Sequence, residues 1–90
     1  MRIRWTAQAA GDLEHIVNYI RQDNPEAALR MARTIFKGIT GLREFPRSGR
    51  IGLAQDTREL VLGAYIVVYE IINDQVQILR IRHAAQNWPK

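Results

Sequence analysis

Ninety residues, 47% of them hydrophobic and 24% charged, supply material for one core, so a single domain over residues 1–90 is expected and general disorder is excluded. The net charge of +4 rests on eleven arginines and two lysines, a bias suited to bidentate contacts with phosphate or carboxylate and hence to a nucleic-acid or acidic partner. Lack of cysteine excludes disulfides, thiolate metal sites and cysteine nucleophiles, and no apolar run nears the roughly 18 residues that span a bilayer.

Arg2-Ile3-Arg4-Trp5 alternates polar and apolar side chains, which predicts a short first strand, with Thr6 placed to cap a helix. No apolar signal region or small-residue cleavage site precedes that pattern, so a cytoplasmic, non-membrane protein is expected. Ala9, Leu13, Ile16, Val17 and Ile20 recur at helical spacing and define the buried stripe of helix one. Asp12, Glu14, Asn18 and Arg21 lie on its polar side.

Asp23-Asn24-Pro25 predicts a tight helical hairpin, because Pro25 suits a first helical position and Asn24 the cap before it. In helix two Ala28, Ala32, Ile35, Ile39 and Leu42 form the core stripe, with Met31 and Phe36 beside it, until Phe45-Pro46 ends the segment. Gly38 and Gly41 weaken the last turns and permit close packing.

Ser48, Gly49 and Gly52 predict a loop from Arg47 to Asp56. Three strands then follow: Thr57 to Leu62, Ala64 to Ile72 and Gln75 to Arg82, turning at Gly63 and at Asn73-Asp74. The short links predict antiparallel neighbours. The expected fold is α+β in the order β-α-α-β-β-β, with the N-terminal strand and helical hairpin packed on one face of a small antiparallel sheet. The opposite face is where function is expected.

Several ordered features coincide with one family. They are Trp5-Thr6, Ala10-x-Asp12-Leu13, Ile16, Tyr19-Ile20, Asn24-Pro25, Leu42-x-x-Phe45-Pro46-x-x-Gly49-Arg50, Arg58-Glu59-Leu60, Tyr65-Ile66-Val67-Val68-Tyr69 and Ile78-Leu79-Arg80-Ile81-Arg82-His83. Over nearly its whole length the chain resembles RelE/ParE-type toxins of type II toxin–antitoxin systems. The resemblance implies a toxin held inactive by a cognate antitoxin protein. It also implies one of two targets: the ribosome and its mRNA, which RelE-like toxins cleave, or DNA gyrase, which ParE-like toxins inhibit without nuclease chemistry.

Metal-independent RNA cleavage needs a base for the 2′-hydroxyl, positive charge for the transition state and an acid for the leaving oxygen. By the resemblance, Arg58 and Arg80 match basic residues that RelE-like toxins place on the open sheet face. Arg82 shares a face with Arg80 at strand spacing, about 7 Å away. His83 carries an imidazole, the side-chain type most used for proton transfer, and loosely matches a functional histidine of the family, although alternation puts it opposite Arg82. Three consecutive strands are expected to gather Arg58, Arg80, Arg82 and His83 into one cluster.

Around this catalytic set of Arg58, Arg80 and His83, the residues Arg47, Arg50, Arg82 and Trp88 are candidates for binding RNA or another target. Arg47 and Arg50 flank Ser48-Gly49, which could form a phosphate nest, and Trp88 could stack on a base. Each has a plainer reading: Arg58 paired with Glu59 or Glu70, Arg80 and Arg82 as solvated edge residues or antitoxin contacts, residues 47–50 as a solvated loop, Trp88 packed on its own domain. The RelE pattern is incomplete, with no lysine pair between 47 and 60 and no tyrosine after the last strand. His15 lies on the polar side of helix one, and the carboxylates lack ligand spacing, so no metal or cofactor is expected. The expected function is growth inhibition by ribosome-dependent, metal-independent mRNA cleavage, with non-enzymatic inhibition of DNA gyrase and an inactive homologue that serves only in autoregulation with its antitoxin as the alternatives.

Overall fold

The computed structural model describes residues 1–85. Its elements are β1 (Arg2–Trp5), α1 (Ala7–Asp23), α2 (Pro25–Gly41), β2 (Arg50–Ile51), β3 (Arg58–Leu62), β4 (Tyr65–Ile72) and β5 (Gln75–His83). Both helix starts follow from their caps. The Thr6 hydroxyl accepts from the Ala9 amide at 3.1 Å, and the Asn24 side chain accepts from the Ala27 amide at 3.0 Å, with Pro25 first in α2.

The sheet has the order β1-β5-β4-β3-β2. Two features depart from the expected small antiparallel sheet. First, β1 runs parallel to β5, because the helical hairpin carries the chain to β2 at the opposite edge and the antiparallel meander β2–β5 then returns to β1 in the same direction. Second, Arg50-Ile51 inside the expected loop pairs with Arg58 and Glu59 as a two-residue strand. The α+β assignment stands, with one strand more than the sequence suggests.

Asn73 and Asp74 both adopt left-handed backbone, with φ of 51° and 58°, which makes the tight turn that fixes the β4–β5 register. Ala9, Leu13 and Ile16 of α1 and Ile35 and Ile39 of α2 pack with Val67, Tyr69, Val76, Ile78 and Ile81 of the sheet. Burying each large aliphatic side chain of this set contributes about 1.5–3 kcal/mol. Gly38 lets α2 approach β3, since a Cβ there would sit 2.7 Å from the Leu62 methyl groups.

Residues opposite one another in the ladder share a face. Val76 and Ile78 face the helices, as does Ile81, three residues later. The ladder pairs Tyr69 with Ile78 and Val68 with Arg80, so Leu79 is an extra residue in a β-bulge. That bulge turns Arg80 and Arg82 onto the face away from the helices, beside Val68 and Ile66.

Candidate target-binding surface

The segment after α2 is held rigidly from beneath. The fully buried Tyr69 hydroxyl donates to the Pro46 carbonyl at 2.7 Å and accepts the Gly49 amide at 2.9 Å. From β3, Arg58 donates to the carbonyls of Gly49 at 2.8 Å and Arg47 at 3.2 Å. A Cβ at Gly49 would stand 2.6 Å from the Tyr69 oxygen and 2.9 Å from the Glu59 carbonyl, so only glycine fits. The Gly49 amide points inward, and no nest of outward amides forms there. Arg47 and Arg50 nevertheless keep exposed side chains.

Glu59 is the electrostatic centre of the opposite face. Although only 3% exposed, it accepts from Arg50 at 2.9 and 3.0 Å, from the Leu53 amide at 3.4 Å and from Arg82 at 3.5 Å. Burial pushes the carboxyl pKa up, but the Arg50 and Leu53 hydrogen bonds and the charges of Arg50 and Arg82 outweigh it and leave the group below its ordinary value of 4.5.

Arg80 reaches α1. Because β1 stops at Trp5, the β5 edge beyond Ile78 is open to that helix, and Asp12 accepts from Arg80 at 2.8 and 3.0 Å and from the Ile81 amide at 2.9 Å. The Asp12 hydrogen bond raises the Arg80 pKa still further. His83 sits opposite Tyr65 on the helix side of the sheet, exposed, with the two rings edge to face at 5.3 Å. Its Nδ1 accepts from the Ala85 amide at 3.1 Å.

The expected cluster therefore splits in two. Arg50, Arg80 and Arg82 belong to the face away from the helices, while Arg58 and His83 belong to the helix side. Neither plainer partner proposed for Arg58 holds: Glu59 pairs with Arg50 and Arg82 instead. Trp88 lies outside the described residues. The sequence offers Glu59 only as a partner for Arg58, and its spacing gives no sign that Asp12 and Tyr69 organise this surface. The only hint was that all three stand in the quoted family pattern.

A family model described as the ParE toxin of type II toxin–antitoxin systems, parDE, matches residues 3–88. The chain belongs to the ParE toxin family. Among relatives of this ParE-family toxin is the candidate toxin Y4kP of Sinorhizobium fredii, 46% identical over 99% of this chain and 94% of its own length. The toxin RelE2 of Caulobacter vibrioides is 38% identical over 94% of this chain and 97% of its own. In structure, the ParE-family toxin resembles a chain of the chromosomal ParDE toxin–antitoxin system from P. aeruginosa, with a TM-score of 0.84 and 27% identity over 92% of this chain and 95% of that one. A chain of the RelBE2 toxin–antitoxin complex from Mycobacterium tuberculosis superposes with a TM-score of 0.67 and 26% identity, covering 91% and 95%.

Proposed function

We propose that this ParE-family toxin is cytoplasmic, is restrained by a cognate antitoxin protein, and stops growth by binding DNA gyrase rather than by cutting RNA. The single observation behind this reading is the engagement of its basic residues. Arg58 serves loop carbonyls, Arg80 serves Asp12, and Arg50 and Arg82 serve Glu59. A cleavage site needs cations preorganised toward a scissile phosphate and a base beside them. In this chain the cations support the scaffold, and the exposed His83 lies across the sheet from Arg50, Arg80 and Arg82. The higher structural similarity to the ParDE chain favours the same reading.

Ribosome-dependent mRNA cleavage is the second reading. It is favoured by the exposed His83 imidazole at the end of β5 and by the 38% identity to RelE2. In that case Arg58, Arg80 and His83 carry the chemistry, and Arg47, Arg50, Arg82 and Trp88 bind RNA. Induced expression separates the two: the gyrase reading predicts DNA breaks and an SOS response with intact messages. Primer extension that finds codon-spaced cuts in translated mRNA would overturn it.

A further inference from the structure

The segment 45–53 combines rigidity with exposed apolar surface. Phe45, Ile51 and Leu53 are 66%, 74% and 73% exposed, among the most exposed large hydrophobics of the described residues. Side chains left in water at this level are ordinary when scattered, whereas three within nine residues concentrate apolar exposure on one segment. The backbone beneath them is fixed by the Tyr69 and Arg58 hydrogen bonds, and beyond β2 by the Gly52 amide on the Thr57 carbonyl at 2.8 Å and the Leu53 amide on Glu59. Such a surface loses little conformational freedom on binding, which is how preorganisation raises affinity.

Charge selects the partner. Arg43 and Arg47 precede the Gly49 turn and Arg50 follows it, against one exposed acid in that stretch, Glu44; Arg50 faces away from Ile51 across the sheet edge. Arg50 shares its charge with Glu59, whereas the Arg47 guanidinium makes no ion pair among the described residues. A bare phosphate backbone would use the arginines and leave Ile51 and Leu53 in water. An acidic protein surface with an apolar recess uses both.

Resting on the binding reading above, we propose that segment 45–53 is the surface with which the toxin engages its target, and that the target presents an acidic protein face with an apolar recess for Ile51 and Leu53. The stapling side chains Tyr69 and Arg58 position this surface and do not themselves touch the target.

The test compares three full-length variants with the parent chain: Ile51→Ser/Leu53→Ser, Arg47→Gln, and the control Tyr19→Ser/Leu29→Ser, whose apolar residues are exposed on the helical hairpin. Growth arrest on induction is read at matched soluble expression and melting temperature, together with inhibition of purified DNA gyrase. Ile51→Ser/Leu53→Ser should weaken both effects at least about tenfold, Arg47→Gln should weaken them and flatten their salt dependence, and the control should act like the parent. Should the double variant melt early, Leu53→Ser and Phe45→Ser are read singly with the same expectation. Full arrest by a normally folded Ile51→Ser/Leu53→Ser chain overturns the proposal. So does a loss confined to Arg47→Gln, which would indicate a nucleic-acid backbone. If the parent spares gyrase while arrest still depends on Ile51 and Leu53, the gyrase reading fails and the surface stands.

Discussion

Asp12 on α1 and Arg80 on β5 are joined by two hydrogen bonds of 2.8 and 3.0 Å, and the same carboxylate caps the Ile81 amide at the strand edge. One side chain thus fastens the helical hairpin to the strand that carries Arg80, Arg82 and His83. The arrangement is asymmetric. Removing Arg80 leaves Asp12 its bond to Ile81, while removing Asp12 takes two hydrogen bonds from Arg80 and one from a part-buried amide. Asp12→Ala should therefore cost about 2 kcal/mol and Arg80→Ala about 1 kcal/mol or less, the ion pair being discounted because the Arg80 side chain is 39% exposed. Urea unfolding of the two variants gives the comparison, and equal losses would contradict this assignment.

Tyr69→Phe keeps the buried ring and deletes the hydroxyl that bridges Pro46 and Gly49. A loss of about 1–3 kcal/mol is expected, together with faster hydrogen exchange at the Gly49 amide and unchanged exchange in the β4–β5 ladder. Gly49→Ala should cost at least as much, because the added methyl meets the Tyr69 oxygen and the Glu59 carbonyl. If Gly49→Ala is neutral, the segment is not held as described.

Glu59 predicts a pH dependence. Its pKa in the folded chain lies below the ordinary 4.5, so its contribution is fully present above that value and is lost as pH falls through the lower folded one. Glu59→Gln should lower stability near neutral pH and flatten the acid limb of the stability curve below pH 4.5. At neutral pH the loss should reach about 3 kcal/mol, the low end for breaking a buried pair, since the Arg50 side chain is 59% exposed. Chemical denaturation from pH 3 to pH 7 reads both quantities. An acid limb as steep in Glu59→Gln as in the parent would remove Glu59 from its assigned role.

Much of the fold was legible because it is written locally. Thr6, Asn24-Pro25 and Asn73-Asp74 set helix starts and a turn through neighbours within four residues, and apolar spacing marked the stripes that became the core. What escaped was long-range. Nothing near Arg2–Trp5 reveals that the strand lies parallel to Gln75–Ile78, and two residues, Arg50-Ile51, are too few to show a strand's period. Alternation correctly put Arg80 and Arg82 on one face and His83 on the other. It could not relate Arg58 to them, because the face of one strand relative to another depends on register and on the bulge at Leu79. Nor can spacing pair Arg80 with Asp12 across 68 residues. The candidate site was thus readable as a set of arginines but not as an arrangement.

Purified DNA gyrase provides the most direct test of how this toxin works. Titrating the chain into a supercoiling reaction, with ribosome-programmed translation of an end-labelled message run in parallel, measures both proposed targets with one preparation. The account predicts loss of supercoiling at substoichiometric to stoichiometric chain while the message stays whole. Unimpaired supercoiling alongside cleavage of the translated message, abolished by His83→Ala, would contradict it.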